Sequence, residues 1–331
     1  MKIAVIGRTS YTKLLRKFLK KDFIIKQFQG FNSLSSEKFK DIEILISMTW
    51  GKSIWGENTN IDIPKTNKLK LIHLPGSGTD GVDFSKVPRG CLVCNVYEHE
   101  IAISEFIIAN LLNWEIKLID KIEKFKNYNW EDSMLFSKNP HGELNKKKIA
   151  ILGYGRIGKE LTKKLSVFNT HVTIITRKKI KKENFFDRNF TVSKVNKYLK
   201  DFDYFIIACD LNDSTFNLIT KKEINLMNKN CVIINVARGP IVNEKDLYSA
   251  LKNKLIGGAV IDTWYRYPEI KDKKVFKPSR FNFRILKNIV MTPHLSALSS
   301  NLLERRIKVI SQNIIALKKN KKLINVVHEA K

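Results

Sequence analysis

Apolar residues along this chain fall into short continuous runs that alternate with stretches of helical spacing, as expected of a doubly wound α/β protein. Runs at 2–6, around 23–28, and at 44–47, 69–74 and 92–96 predict a first group of strands, with a helix near 13–19. A single long helix is expected from Ile101 to about Phe125, where Phe106, Ile107, Leu111, Leu112, Ile116 and Ile119 recur at helical spacing. Residues 136–147 are polar and loop-like. A second group of strands follows at 148–152, 171–176, 231–236 and 289–291. With 331 residues the chain has room for two domains of roughly 100 to 200 residues each.

The junction between the first strand of the second group and its helix carries the clearest chemistry. Leu152-Gly153-Tyr154-Gly155-Arg156-Ile157-Gly158 follows a strand and opens a helix whose Ile157, Leu161 and Leu165 form a buried stripe. In this context Gly153 permits a tight turn, Gly155 lets the backbone approach a pyrophosphate, and Gly158 lets helix and strand pack closely. The helix N-terminal N–H groups then face the anion. The next strand, 171–176, ends in Thr176, Arg177, Lys178 and Lys179, with no carboxylate to read the 2′-hydroxyl of a ribose. An arginine there accommodates the 2′-phosphate of NADP, so NADP is favoured over NAD.

Composition narrows the alternatives. Lys+Arg total 60 against 32 Asp+Glu, a net charge of +28. The cations are scattered among Asn, Ile and Phe, with no basic tail, no aromatic-basic repeat and no zinc-finger spacing. That pattern fits the codon bias of an AT-rich genome better than a nucleic-acid-binding surface. A positive surface also attracts anionic substrates at low salt. No window approaches the ~18 apolar residues of a membrane span, and the apolar run at 3–6 is too short for a secretory signal. Cys91 and Cys94 form a C-x-x-C, but at i and i+3 in a strand they point to opposite faces, which argues against a metal or redox pair. Unpaired thiols in strand-like runs suit the cytoplasm.

Two further residues belong with the glycine motif. The strand at 231–236 ends at Ala237-Arg238-Gly239, and that at 289–291 ends at Thr292-Pro293-His294. Both therefore lie at the carboxyl ends of parallel strands, where open α/β sheets bind ligands. A guanidinium offers a planar fork to the carboxylate of a 2-keto acid, and an imidazole offers a proton near neutral pH. Hydride transfer to a carbonyl needs both, because the oxygen is protonated as the carbon is reduced.

These motifs together resemble the D-isomer-specific 2-hydroxyacid dehydrogenase family over nearly the whole chain. GYGRIG at 153–158, INVARGPIVNEKDLYSAL at 234–251, GGAVID at 257–262 and MTPHLSA at 291–297 occur in the family's order. The resemblance implies two doubly wound parallel-sheet domains. A Rossmann cofactor domain (99–294) is inserted into a discontinuous, flavodoxin-like substrate domain (1–98 and 295–331), and the protein forms a homodimer. It further implies that Ser77, Gly78 and Thr79 hold the substrate carboxylate, and that Val236, Ala237, Cys209 and Asp262 join the glycine motif and Thr176–Lys178 around the cofactor. Asn95 and Glu105 fall where the family carries Asn and Glu at the interdomain crossing. The subgroup is glyoxylate/hydroxypyruvate reductase-like or phosphoglycerate dehydrogenase-like.

Two positions depart from the family pattern. The catalytic Glu expected after Arg238 is replaced by Tyr267, which carries no negative charge at neutral pH. Either Glu269 reaches back two positions, or a tyrosine hydroxyl orients His294, or the proton is relayed differently. Cys209 stands where many members have a proline at the adenine pocket. Trp50, Tyr265 and Tyr267 are candidates to line the substrate pocket, against the commoner fate of aromatics, core packing. The expected function is reduction of a small 2-keto acid with NAD(P)H, with Arg238 gripping the substrate and His294 giving the proton. The alternative is a non-catalytic dinucleotide-sensing or partner-binding relative, favoured by the missing Glu and the positive charge.

Overall fold

In the computed structural model of the protein, the described residues are 1–7, 9–30, 36–51, 64, 66–268 and 275–330. They form two compact units: Met1–Glu98 with Tyr267–Phe276 and Ser299–Lys331, and His99–Arg266 with Lys277–Leu298. The chain opens with β1 (Lys2–Ile6), α1 (Thr9–Phe18), β2 (Ile24–Phe28), α2 (Ser36–Phe39), β3 (Ile44–Ile46), β4 (Leu71–His73) and β5 (Leu92–Cys94). The second unit starts with α3 (Glu100–Ile116), α4 (Leu118–Lys126), β6 (Lys148–Leu152), α5 (Arg156–Leu165), β7 (His171–Thr176) and β8 (Arg188–Thr191). It continues with β9 (Tyr204–Ile207), α6 (Lys221–Ile224), β10 (Val232–Asn235), α7 (Glu244–Lys252), β11 (Gly258–Ile261) and β12 (Ile289–Met291). The chain then returns to the first unit as α8 (Leu302–Lys318) and β13 (Val326–Glu329).

The first sheet runs β13-β5-β4-β3-β1-β2, parallel except for β13, which is antiparallel to β5. Its order from β2 inward is the flavodoxin-like one. Because side chains alternate along a strand, the sheet divides two apolar clusters. Ile3, Val5, Ile44, Ile46, Leu71 and Cys94 face α1 and α8, while Ala4, Leu45, Ile72, Cys91 and Val93 join Phe39 and Trp50 on the other side. Cys91 and Cys94 thus point to opposite faces as free thiols, each pushed up to about 12 by burial. Among the described residues no group of three or more His, Cys, Asp or Glu is placed to hold a metal ion, and no helix is long and apolar enough to cross a membrane.

The second sheet runs β12-β11-β10-β9-β6-β7-β8, all parallel. Strands β9, β10 and β11 are buried along their full length, as a sheet covered on both faces requires. Ile103, Ile107 and Leu111 of α3 and Leu161 and Leu165 of α5 pack with Ile149, Ile151, Val172, Ile174, Ile206 and Ile234 of the strands.

Two expectations need correction. The single helix from 101 to about 125 is two helices, broken at Lys117, whose φ of 55° lies in the left-handed region. Asn113 makes the break self-sufficient: its carbonyl accepts from Lys117 N at 2.7 Å and its side-chain Oδ1 from Ile119 N at 3.2 Å. Apolar spacing continues across the break, so periodicity does not reveal it. The second correction concerns the return crossing, which falls after Leu298 rather than before residue 295. The N–H groups of Leu295 and Ser296 are bound by Asp262 of the second unit, which keeps that segment there.

His73 illustrates the chemistry of the first core. Fully buried, it donates Nδ1–H to the Leu74 carbonyl at 3.1 Å and accepts from Asn313 Nδ2 at Nε2, at 3.0 Å. Burial lowers its pKa to about 4. In the unfolded chain the imidazole takes up a proton at about pH 6.5, so stability present above that pH is lost as pH falls towards 4. The loss should approach roughly 3 kcal/mol. Urea unfolding of the wild type between pH 7 and 4 should show it, and His73→Gln should remove that part of the slope.

Candidate functional site

The loops that follow β6, β7 and β9 meet where the strand order reverses. Gly153, at φ 106°, donates its N–H to Ile175 O at 2.8 Å, and a Cβ on it would lie 2.6 Å from Ala208 O. A Cβ on Gly158 would run into Gly153 O. Both glycines are therefore fixed by close backbone approach. Gly155 differs: nothing lies within 4 Å of its would-be Cβ, and as the N-cap of α5 it brings no side chain to occupy the helix's first N–H groups. That combination leaves an open anion cradle, which fits a dinucleotide pyrophosphate. Arg156 lies 3.7 Å from Glu100 through Nη1, tying α5 to α3, and Ile157 packs against the core below. Tyr154 turns to the segment after β7. Its hydroxyl donates to Glu183 at 2.9 Å and its ring meets Phe186 edge-on, and burial and the Glu183 carboxylate push the phenol up to about 12.

At the end of β7, Thr176 Oγ1 donates to Lys178 O at 2.7 Å, forming a tight turn from which Arg177 and Lys178 extend into solvent. Burial, then the Asp210 charge, pushes the Cys209 thiol up to about 12, and the Arg177 guanidinium opposes them. Arg177 and Cys209, distant in sequence, thus share one rim.

The second half of the rim lies at the ends of β10, β11 and β12. Asn235, buried, shapes the turn that carries Arg238: its Nδ2 donates to Arg238 O at 2.9 Å and its Oδ1 accepts from Ala237 N at 3.1 Å. Val236 and Ala237 are buried in this turn. Arg238 Nη1 donates to Ala237 O at 2.8 Å, and a Cβ on Gly239 would meet the Trp264 carbonyl carbon and oxygen at 2.5 Å. The backbone just after Arg238 is therefore packed against the loop that follows β11.

Asp262, with no exposed surface, begins that loop. Its Oδ1 accepts from Thr292 Oγ1 at 2.6 Å and Leu295 N at 2.8 Å, and its Oδ2 accepts from Ser296 N at 3.0 Å. These bonds bracket His294, whose φ of 57° is an uncommon conformation for a non-glycine residue and needs such external restraint. Trp264 Nε1 adds a bond to Thr292 O at 2.8 Å. Burial holds His294 below its ordinary pKa. The Asp262 charge opposes that shift, and the Arg238 guanidinium adds to it. A guanidinium and an imidazole thus lie within electrostatic reach of each other and of one buried carboxylate. Sequence reasoning placed Asp262 among the cofactor residues and missed its grip on the histidine loop. The GGAVID motif marks the position, but no sequence signal names the partner.

The remaining sequence candidates separate. Tyr267 is half-buried and grouped with the first unit, and Glu269 lies outside the described residues. Burial, and then the Glu244 charge, raises the Tyr265 phenol far above its ordinary pKa. Trp50 is core: fully buried near Phe39, it donates Nε1–H to Lys86 O at 3.0 Å. Ser77, Gly78 and Thr79 form the half-buried turn after β4 of the first unit, and Asn95 Nδ2 donates to Ser77 O at 2.8 Å.

Comparison with known proteins shows the family and the fold. Residues 108–296 match the family model described as D-isomer specific 2-hydroxyacid dehydrogenase, NAD binding domain. A glyoxylate reductase of Pyrococcus horikoshii is 25% identical over 293 residues, covering 86% of this chain and 82% of that protein. In fold the chain is similar to a D-isomer specific 2-hydroxyacid dehydrogenase family protein from Aeromonas salmonicida, with a TM-score of 0.77 at 19% identity over 99% and 98% of the two chains. An NADPH-dependent glyoxylate/hydroxypyruvate reductase from Sinorhizobium meliloti superposes with a TM-score of 0.76 at 20% identity, covering 99% of this chain and 98% of that one.

Removing the Asp262 charge should act on both stability and titration. Asp262→Asn leaves donors facing an amide, so unfolding free energy should drop by about 1–3 kcal/mol. The His294 imidazole should titrate at lower pH than in the wild type, because a negative charge that favours the imidazolium is gone. NMR titration of the histidine ring checks this. An unchanged His294 titration would show that Asp262 acts only as a structural cap.

Proposed function

Since the chain belongs to the D-isomer-specific 2-hydroxyacid dehydrogenase family of NAD(P)-dependent oxidoreductases, we propose that it reduces a small 2-keto acid of the glyoxylate or hydroxypyruvate type to the D-2-hydroxy acid. The observation that carries this reading is the placement of Arg238 and His294 just past the carboxyl ends of β10 and β12, in the sheet that also carries the glycine turn. Residues Gly153–Gly158 and the turn at Thr176–Lys178 hold the dinucleotide, which supplies a hydride to the keto carbon. Arg238 presents its fork to the substrate carboxylate and keto oxygen. His294 gives its proton to that oxygen as the carbon is reduced. Asp262 holds the imidazole in place and favours its charged form, the electrostatic task that Tyr267 is unable to perform. A non-catalytic sensor would have no need of this buried restraint on a histidine in a costly backbone conformation.

Three finer readings accompany this one. NADPH is preferred, supported by the exposed Arg177 and Lys178 and by the lack of a carboxylate at the end of β7. The protein forms a homodimer, supported by exposed apolar side chains clustered on and after α4, including Ile119, Phe125, Trp130, Met134 and Leu135. Buried unpaired thiols favour the cytoplasm.

Steady-state assays with a panel of 2-keto acids should show turnover, with kcat/KM for NADPH above that for NADH and the order reversed in Arg177→Asp. Dinucleotide binding without turnover of any keto acid would favour the sensor. Arg238→Lys should weaken transition-state binding by roughly 2 kcal/mol or more, because a point charge does not replace a bidentate fork. His294→Ala should lower kcat by on the order of 10² to 10⁴ with the dinucleotide still bound.

The direction of the His294 shift sets the pH profile. Reduction requires the imidazolium, so activity is present below its pKa and lost as pH rises through it. In kcat/KM, which reports the free enzyme, the fall should be centred below about pH 6.5. A profile flat from pH 5 to 9 with chemistry rate-limiting would exclude His294 as the acid.

A further inference from the structure

The turn after β4 has an unusual division of its backbone groups. Three consecutive carbonyls each accept a bond from the body of the first unit: Pro75 O from Arg306 Nη1 at 3.3 Å, Gly76 O from Val96 N at 3.1 Å, and Ser77 O from Asn95 Nδ2 at 2.8 Å. In a trans peptide the C=O and the following N–H point in opposite directions. Drawing these carbonyls inward therefore turns the N–H groups of Gly76, Ser77 and Gly78 the other way. Among the described residues, none of the three finds a protein acceptor. Gly76 is buried and Ser77 and Gly78 are half-buried, so the unmet donors are costly unless an anion or water takes them. Successive N–H groups converging in this way form an anion-binding concavity.

Arg306, in the second turn of α8, is the residue that reaches furthest in sequence to make this arrangement. Its Nε also donates to Tyr97 O at 2.9 Å, so one guanidinium joins the segment after β4 to the segment after β5. Both bonds are charge-assisted, and a cation on the carbonyl side of a peptide strengthens its N–H as a donor. A lysine offers no such two-point fork.

We infer that Arg306 and Asn95 are positioning residues for the substrate carboxylate: they hold the carbonyls of 75 and 77 inward so that the N–H groups of 76–78 face the anion. This rests on the reading of the Ser77–Thr79 turn as the carboxylate site of a keto-acid reductase. Neither side chain touches the substrate. Arg306 acts through Pro75 and Tyr97, and Asn95 through Ser77.

The experiment compares wild type, Arg306→Lys and Arg306→Met with the dinucleotide bound, using oxalate binding by calorimetry and KM for a 2-keto acid and for its uncharged 2-keto amide. Loss of the charged bonds should raise the oxalate Kd and the keto-acid KM about 10-fold or more in Arg306→Met. The 2-keto amide KM and the dinucleotide Kd should stay within about twofold, because no anion is involved in the first and a different turn serves the second. Arg306→Lys should fall between, and it keeps the assay readable if the Met variant does not fold. Equal losses for keto acid and amide would reduce Arg306 to a structural tie and overturn the inference, as would unchanged oxalate binding. A wild type that turns over keto acids but does not bind oxalate would also overturn it, whereas a wild type with neither property would remove the reductase reading itself.

Discussion

A carboxylate with no exposed surface has to find its hydrogen-bond donors inside the protein, and the way Asp262 does so organises the loops that follow β11 and β12 of the second unit. Its donors are Thr292 Oγ1 and the N–H groups of Leu295 and Ser296, on both sides of His294. The same bonds fix where the chain leaves the unit, hold the histidine in a left-handed conformation and place a negative charge beside its ring. Leaving any of those donors or the carboxylate itself unmet would cost more than an ordinary surface bond, so the arrangement is over-determined.

The parallel sheet converts this local restraint into a site. Its central strands are buried on both faces, so polar chemistry is pushed to the loops at their carboxyl ends. Close backbone approaches then set the spacing of those loops: Gly153 against Ala208, Gly158 against Gly153, and Gly239 against Trp264. Each is a contact that a single methyl group would disturb. Arg177 and Cys209 come together at one end of this rim, and Arg238 and His294 at the other, without any of the four being neighbours in sequence.

The first unit uses the same physics for a different end. Two of its interior polar features are paired through long-range bonds to α8, His73 with Asn313 and the turn after β4 with Arg306. The helix near the end of the chain therefore both completes the hydrophobic face of the sheet and ties down the turn after β4.

Much of this was legible in the sequence by itself. Period and run length gave the alternation of strands and helices, because burial on both faces leaves uninterrupted apolar runs. The glycine spacing gave the tight turn after β6, because only glycine tolerates a φ of 106° and a backbone oxygen 2.6 Å from a Cβ. The ends of two apolar runs gave Arg238 and His294. The break at Lys117 is local, closed by Asn113, but apolar spacing crosses it unmarked; tertiary structure alone decided the fate of Trp50 as core. It also decided that Asp262 restrains His294 and that Arg306 reaches the turn after β4. These depend on partners 32 and 231 residues away, and a one-dimensional pattern carries periodicity and local turn chemistry but not which distant donor a buried acceptor will meet.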